Sequence, residues 1–212
     1  MNEGLLRSVQ LKIPSGMLHP PFEADPARCP PVVAGNVETS QSVVAALLAA
    51  LGLAAESQST MNNVLFGNDR FTVYETLGGG AGAGPTTDGA SAVHVHMSNT
   101  RLTDIDVLER RAPVVLRRFM RRQNSGGSGM HSGGDGIVRT YEFREPVTLS
   151  FFGSRRNFAP QGMESGANGA CGDQYLERAD GERVRMESTF SIHCAPGDRF
   201  TVETPGGGGF GA

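Results

Sequence analysis

Residues 74–101, YETLGGGAGAGPTTDGASAVHVHMSNTR, join a glycine-rich loop to a Pro-Thr-Thr-Asp turn, a His-x-His pair and a polar tail. Glycine removes the side-chain bulk that keeps a ligand or a second strand away from the main chain. Residues 92–97 are predicted to form a strand, on which His94 and His96 occupy alternate positions and face the same side. A packed core requires no such combination. The stretch therefore predicts a polar site that lies close to the backbone.

Alternating patterns on both sides of this stretch predict a β-rich protein. Before it, Phe71, Val73 and Glu75 alternate with residues that would face the opposite side of a strand. After residue 113, short alternating segments are separated by Gly, Pro, Asp and Asn, as is typical of a β-sandwich or a barrel-like fold. The strands predicted there lie within residues 115–119, 137–143, 147–153, 183–189, 190–195 and 199–204.

Two segments carry the signals of helices. Thr39 or Ser40 is predicted to cap a helix rich in alanine and leucine, and Gly52 is predicted to end it. Asp104 is predicted to cap a short second helix, which Pro113 should end because proline cannot continue a helical hydrogen-bond pattern.

The predicted fold class is therefore α+β, mainly β. A mixed N-terminal part with one clear helix is followed by an antiparallel β-rich sandwich or barrel-like part. The change in composition places a boundary between a mixed portion, residues 1–125, and a β-rich portion, residues 126–212, although one continuous domain remains an alternative. The proline-rich start is expected to be an irregular arm that ends in a turn at Gly35. Residues 203–212 are expected to form a glycine tail after the last strand.

Composition excludes several classes of protein. The 212 residues carry a formal net charge of -3, which gives no global positive field for nucleic acid or an anionic membrane. Three cysteines without a CxxC motif argue against a disulfide framework and favour a reducing compartment. The N-terminus lacks the features of a signal peptide, and the longest apolar run, residues 43–55, is too short to span a bilayer. We therefore expect a cytoplasmic protein without a nucleic-acid or membrane partner.

Several segments allow both a functional and a purely structural interpretation. His94 and His96 could bind a metal or transfer protons, or they could be hydrogen-bonded strand residues. The backbone N–H groups of residues 78–84 could hold a phosphate, but the segment lacks the Lys-Ser/Thr ending of a P-loop, so a structural loop is favoured. Arg101 could hold a substrate carboxylate or lie on the surface.

The order of motifs along nearly the whole chain resembles the C-terminal part of the B-type half of the hydantoinase/oxoprolinase family. The segments that carry the resemblance include TMNNVLFGN at residues 60–68 and SRRNFAPQG at residues 154–162. The others are residues 20–41, 78–100, 106–119, 124–139 and 196–211. A family B-type half is much longer than this chain.

The resemblance implies a hydrolase that opens a cyclic amide with ATP. The substrate would be 5-oxoproline, giving glutamate in glutathione metabolism, or a hydantoin, giving an N-carbamoyl amino acid. Acetone-type carboxylases share the architecture, so a carboxylase subunit is an alternative. The resemblance also implies ATP and a divalent metal, bound mainly outside this chain. The implied partners are an A-type ATP-binding half and an upstream B-type segment, and homo-oligomers are possible.

The resemblance also assigns roles to individual residues. His94 and His96 are expected to act as catalytic acid and base, and Asn63 and Asn99 to donate hydrogen bonds to a ring carbonyl. Arg101 is expected to orient an anionic substrate, and Glu38 to line the same pocket, although it could simply start a helix. The chain is expected to be inactive alone. The alternative is a non-catalytic β-rich interaction or regulatory module derived from this family.

Overall fold

A computed structural model of the chain describes residue 10 and residues 12–16, 18–30 and 35–212. Spatial contacts divide the chain into two units, Met1–Ala34 and Gly35–Ala212. In the first unit, the described residues include a bridge between Gly16 and His19 and a one-turn 3-10 helix, Pro26–Arg28. Residues 31–34 of the predicted arm lie outside the described residues, and a turn follows at residues 35–38.

The second unit contains two antiparallel sheets. The first consists of β1 (Asn63–Asn68), β2 (Phe71–Thr76), β5 (Val147–Phe152) and β8 (Thr189–Cys194), in the order β2-β1-β5-β8. The second consists of β3 (Val114–Arg122), β4 (Gly136–Phe143), β6 (Asp173–Glu177), β7 (Arg183–Arg185) and β9 (Arg199–Glu203), in the order β3-β4-β9-β6-β7. The predicted α+β, mainly β class is confirmed.

The two sheets share one hydrophobic core. In β5, the alternating residues Val147, Leu149 and Phe151 are buried, as the pattern predicts. Aromatic rings join the sheets: Phe66 and Phe143 have ring centroids 5.3 Å apart, and Phe151 and Phe200 are 5.8 Å apart. Both spacings are within the range of favourable aromatic pairs. The layers therefore form a sandwich.

Two strands differ from the sequence-based expectation. β1 was not predicted as a strand, since Asn63 and Asn68 are residues common in turns, yet it lies between β2 and β5 and pairs with both. The strand β6 was not predicted, although it pairs with β7 and β9. Pairing with distant strands outweighs the weak local preference of such residues for strands.

The helices are α1 (Thr39–Ala50) and α2 (Ile105–Arg111). The N-cap prediction for α1 was wrong, because Glu38 occupies that position and its side chain makes no capping hydrogen bond. Gly52 follows the helix with φ +66°, as expected for a left-handed C-terminal residue. Asp104 caps α2 by accepting from two backbone N–H groups. No helix among the described residues is long and apolar enough to cross a membrane.

Strands on both sides of residue 125 combine in each sheet. In the first, β1 pairs with β5, and in the second, β3 pairs with β4. The boundary predicted between residues 125 and 126 stays a prediction, while residues 35–212 form one compact unit.

A buried ion pair crosses the sandwich. Glu75 of β2 lies on the inward face, as its alternation with Phe71 and Val73 predicts, and is bonded to Arg139 of β4 at 3.0 Å. Both side chains are at most 1% exposed. The hydroxyl of Tyr141 donates to the same carboxylate, and desolvation raises the pKa of Tyr141 well above 10.0. This ionic group joins the two sheets where apolar side chains would be expected.

The predicted glycine tail is instead part of the interior. Gly206 to Gly209 are buried, and residues 205–211 exchange backbone hydrogen bonds with residues 79–84, 125–136 and 160–172. We call these four segments the glycine bundle. A Cβ atom at Gly207 would lie 1.9 Å from the carbonyl oxygen of Ala81. Only glycine allows main chains to approach this closely, so the bundle determines the path of all four segments.

Candidate functional site

A buried polar network begins at the N-terminus of α1. The carboxylate of Glu38 accepts hydrogen bonds from the Thr60 hydroxyl at 2.8 Å and the Ser154 hydroxyl at 2.5 Å. It also accepts from the backbone N–H of Met61 at 3.2 Å. Glu38 therefore attaches the start of α1 to the segment before β1 and to the loop after β5.

Arg156 extends this network from the same loop. Its Nη1 donates to the backbone oxygen of Ser154 and to Oδ1 of Asn62, both at 2.6 Å, and its Nε donates to Oε1 of Gln174 at 2.7 Å. The amide of Asn62 donates in turn to Oε1 of Gln58 at 2.9 Å. The polar network thus comprises Glu38, Gln58, Thr60, Asn62, Ser154, Arg156 and Gln174.

The backbone within this network is strained. Ser59 has φ +44° and Asn62 has φ +46°, which is the left-handed region that residues other than glycine rarely adopt. Ser59 and Asn62 are fully buried. Strain of this kind persists only where surrounding contacts hold it, and it is concentrated at functional sites.

Several buried polar atoms beside the network have no hydrogen-bond partner among the described residues. They are Nε2 and Oε1 of Gln41, Oγ of Ser59 and Nη2 of Arg156. Gln41 lies three residues after Glu38 in α1, and Ser59 precedes Thr60. Leaving a buried polar atom unsatisfied costs about 1–3 kcal/mol, so such atoms rarely cluster without a partner to bind. All four atoms belong to Arg156 or to residues within three positions of a network residue, and this marks the network as a candidate binding site.

His94 and His96 do not lie on a strand, so the predicted strand at residues 92–97 was wrong. Only Val93 pairs there, in a single bridge with Gly79. His96 has φ +53°, which turns the chain and removes the shared face that an extended strand would give the two rings. The turn is held by Ser98, whose backbone N–H and hydroxyl donate to the carbonyl oxygen of Val95 at 3.0 and 2.8 Å.

The two imidazoles are nevertheless chemically unusual. Nδ1 of His94 and Nε2 of His96 are buried and have no partner among the described residues. Desolvation by burial lowers the pKa of His94 and of His96 below 6.5, which keeps both rings neutral at neutral pH. The backbone of Val93, which precedes His94, bridges Gly79, where an added Cβ atom would lie 2.1 Å from Oε1 of Gln58.

The remaining predicted site residues lie elsewhere. Asn63 begins β1, and its Oδ1 accepts a hydrogen bond from the Tyr74 hydroxyl at 2.7 Å. Asn99 and Arg101 are exposed, in the segment without regular structure that precedes α2. Among the described residues, no hydrogen bond or ion pair joins any two of the six residues His94, His96, Glu38, Asn63, Asn99 and Arg101. The six residues predicted from the sequence therefore do not form one hydrogen-bonded site.

Sequence reasoning missed Arg156, Gln58 and Gln174 as members of the site. A signal was present for the first, because Arg156 lies in the SRRNFAPQG segment between β5 and β6. Another signal was the mostly polar run SQSTMNN at residues 57–63, which is buried at nearly every position. Consecutive buried polar residues are uncommon and require partners.

The glycine loop at residues 79–84 cannot hold a phosphate as it stands. All six of its backbone N–H groups donate within the chain, at 2.9–3.0 Å, to acceptors on residues 57, 87–93 and 205–208. A phosphate site needs free backbone donors. The loop is structural, and ATP does not fit it.

A divalent metal also finds no complete set of ligands in the part of the chain that the structure describes. No three His, Cys, Asp or Glu side chains come together there. Catalytic zinc sites use three protein ligands, and the two histidines alone do not supply them. The described residues therefore do not fit a metal site.

Comparisons with known proteins cover the full chain. A family model described as hydantoinase B/oxoprolinase matches residues 1–212. 5-oxoprolinase 1 of Arabidopsis thaliana is 47% identical over 212 residues, which is 100% of this chain and 16% of that protein. The 5-oxoprolinase of Dictyostelium discoideum is 40% identical, again over 100% of this chain and 16% of the relative. The chain thus spans about one sixth of the length of these relatives.

Two solved structures share the fold. An ATP-dependent caprolactamase from Pseudomonas jessenii has a TM-score of 0.64 and 23% identity, and the match covers 75% of this chain and 30% of that one. A nucleotide-free acetone carboxylase has a TM-score of 0.58 and 16% identity, and the match covers 75% of this chain and 26% of that one. At such identities the likeness concerns the fold alone.

Proposed function

This chain belongs to the hydantoinase B/oxoprolinase family, and we propose that it forms part of the site at which an ATP-dependent hydrolase opens a cyclic amide. The substrate is 5-oxoproline, which yields glutamate, or a hydantoin, which yields an N-carbamoyl amino acid. The observation that carries this proposal is the set of buried, unpartnered polar atoms on Arg156 and on Gln41 and Ser59, which neighbour the polar network in the sequence. A lactam presents a carbonyl acceptor and an N–H donor, which such atoms can bind.

The histidines supply acid and base catalysis in this proposal. Ring opening by water requires that a proton leave the attacking water and that another reach the ring nitrogen as the C–N bond breaks. A neutral imidazole can accept the first proton and later donate one. The lowered pKa values of His94 and His96 and their buried, unpartnered ring nitrogens support this role. The positive φ of His96 is further support, since strain is common at catalytic positions.

Amide and charged groups orient the substrate. The Tyr74 hydroxyl donates a hydrogen bond to Oδ1 of Asn63. The Nδ2 group of Asn63 is therefore available to donate a hydrogen bond to a ring carbonyl. Asn99 provides a second carbonyl donor from its exposed segment. Glu38 contributes by holding the start of α1 in place, through its bonds to both sides of the network.

Other segments complete the enzyme. In this reaction class ATP activates the ring carbonyl, and an A-type half would bind the ATP. We propose that this chain requires that half and the upstream B-type segment, and that it does not turn over alone. The relatives' sixfold greater length supports the requirement for further segments.

The test is reconstitution with an A-type half and an upstream B-type segment, followed by measurement of ATP-dependent glutamate release from 5-oxoproline and of hydantoin ring opening. We expect activity in the mixture only. His94→Ala or His96→Ala should lower the rate by about 100-fold or more, which is typical for loss of an acid or base. The control is His193→Ala, because His193 is exposed on β8, where it contacts Thr148.

Full activity of both alanine variants would remove the histidines from the mechanism. A complete mixture that contains a folded chain, yet opens neither ring, would favour the non-catalytic module instead.

A further inference from the structure

Beside the polar network lies a cavity of about 360 Å³. Arg156 and Gln174 form part of its wall, and Asn157, Arg185 and Ser188 also line it. Its volume is within the range of small-molecule sites, roughly 300–1,000 Å³. None of the residues named in the sequence-based site lines this cavity.

Arg156 differs from Arg139, the other buried arginine among the described residues, and from the partly buried Arg155. Arg139 contacts Glu75, and Arg155 contacts Glu56, each with an N–O distance of 3.0 Å. Arg156 is 8% exposed, yet its three hydrogen bonds all go to neutral oxygens, and no carboxylate among the described residues contacts it. Buried charges are normally paired, because hydrogen bonds to neutral groups and a cation–π contact, here with the Phe151 ring 5.0 Å from the guanidinium, replace only part of the lost hydration.

The two carboxylates whose charges act most strongly on Arg156 are already engaged. Glu38 is bonded to two hydroxyls and a backbone N–H, and Asp173 is paired with Arg185 at 2.8 Å. Desolvation lowers the pKa of Arg156 to about 10, although the charges of Glu38 and Asp173 oppose this change. The guanidinium therefore stays charged at neutral pH, and its Nη2 remains without a partner.

We propose that Arg156 and this cavity bind the carboxylate of a small organic acid. The inference rests on the proposed function, because 5-oxoproline carries one such carboxylate beside its lactam. Hydrogen bonds between a guanidinium and a carboxylate are among the strongest in proteins, and low dielectric strengthens them. This assigns the anion to Arg156 rather than to exposed Arg101, where water competes for the charge.

A monoanion fits the cavity better than a polyphosphate. Glu187 also lines the cavity and would repel a ligand of higher charge. Arg185 at the rim is largely neutralised by Asp173, so Arg156 is the main positive charge available there. The occupant is therefore a singly charged acid, and ATP would be excluded.

The experiment measures thermal unfolding of the full purified chain with increasing 5-oxoproline. A ligand that binds only the folded state raises Tm in proportion to the logarithm of its concentration above Kd. The comparison ligand is 2-pyrrolidinone, which has the same lactam ring without the carboxylate. We expect Tm to rise with the logarithm of the 5-oxoproline concentration between about 1 mM, a weak Kd, and about 10 mM. We expect no rise with 2-pyrrolidinone.

Asn157→Asp tests the role of the charge without removing Arg156, whose replacement could unfold the loop. The new carboxylate would pair with Arg156 at the cavity. It should therefore raise Tm in the absence of ligand and weaken 5-oxoproline binding by about tenfold or more, because the positive charge of Arg156 would already have a partner. Asn157→Ala removes the same amide without adding charge, and it should leave the binding essentially unchanged.

Equal Tm rises with both ligands, no rise with 5-oxoproline, or unchanged binding in Asn157→Asp would each overturn the proposal. Failure of this carboxylate subsite can be distinguished from failure of the proposed function. Ring opening in the reconstituted enzyme without carboxylate-dependent binding would overturn this subsite alone. Carboxylate-dependent binding without ring opening would leave the subsite intact and overturn the hydrolase.

Discussion

Replacing Gly207 by alanine tests whether the glycine bundle holds the fold together. Gly207 lies in the middle of the buried segment 205–211, and its neighbours are main-chain atoms rather than side chains that could move aside. The added Cβ would lie 1.9 Å from the oxygen and 2.3 Å from the carbon of Ala81, and 2.7 Å from the nitrogen of Gly82. Contacts below 3.0 Å require a shift of backbone.

The expected loss of stability has two parts. Overpacking in a well-packed interior costs about 1–3 kcal/mol. The shift would also disturb two hydrogen bonds, from Gly207 to Gly134 at 2.9 Å and from Gly127 to Gly207 at 2.8 Å. Each buried group left without a partner costs about 1–3 kcal/mol, so the combined loss is about 3–9 kcal/mol. This is a large share of a total stability of about 5–15 kcal/mol.

Urea unfolding followed by circular dichroism provides the measurement. Gly35→Ala is the matched control, because no described atom lies within 4 Å of the position of its Cβ. We expect Gly35→Ala to change stability by less than about 1 kcal/mol.

Gly181→Ala separates backbone strain from crowding, since Gly181 has φ +94° in open space. It should cost about 1–2 kcal/mol, the penalty of a left-handed conformation. A loss for Gly207→Ala no larger than that of Gly181→Ala would show that the bundle can relax, and would refute the packing argument.

Three further predictions concern titratable side chains. Glu75→Gln leaves a buried guanidinium unpaired and should cost about 3–5 kcal/mol in urea unfolding, and a loss below about 1 kcal/mol would contradict this. Because the pKa values of His94 and His96 are lowered from 6.5, the unfolded chain binds more protons below that pH. The contribution of these histidines to stability should be complete above pH 6.5 and decrease below it. A variant in which both are replaced by glutamine should lose less stability as the pH falls below 6.5. Hydrogen bonding from Arg117 lowers the pKa of Glu142 to about 2, so its contribution should be lost only as pH falls from 4.5 towards 2. A carboxyl NMR titration midpoint near 4.5 would contradict this last prediction.

Local signals in the sequence predicted the elements that depend on local chemistry. The alternation of Phe71, Val73 and Glu75 placed all three on one face of a strand. Gly52 ended α1 because a left-handed residue suits glycine, and Asp104 capped α2 through its own side chain. Each of these features depends on residues within a few positions of one another.

The candidate site was predicted less completely. The segment that contains His94 and His96 was recognised, but its strand was not formed, because a turn held by hydrogen bonds between Val95 and Ser98 interrupts it. Arg156 was missed, since its partners Asn62 and Gln174 are distant in the sequence. Nothing local indicates that this arginine is buried without a carboxylate.

The sequence by itself determined the family, the β-rich class and the positions of most strands and both helices, because these depend on residue patterns of short range. Only the tertiary structure decided that β1 lies inside a sheet and that Gly206 to Gly209 are buried. It alone brought Glu38, Asn62 and Arg156 together. The reason is physical: main-chain approach, burial and hydrogen-bond satisfaction depend on segments that meet across 90 or more residues of chain.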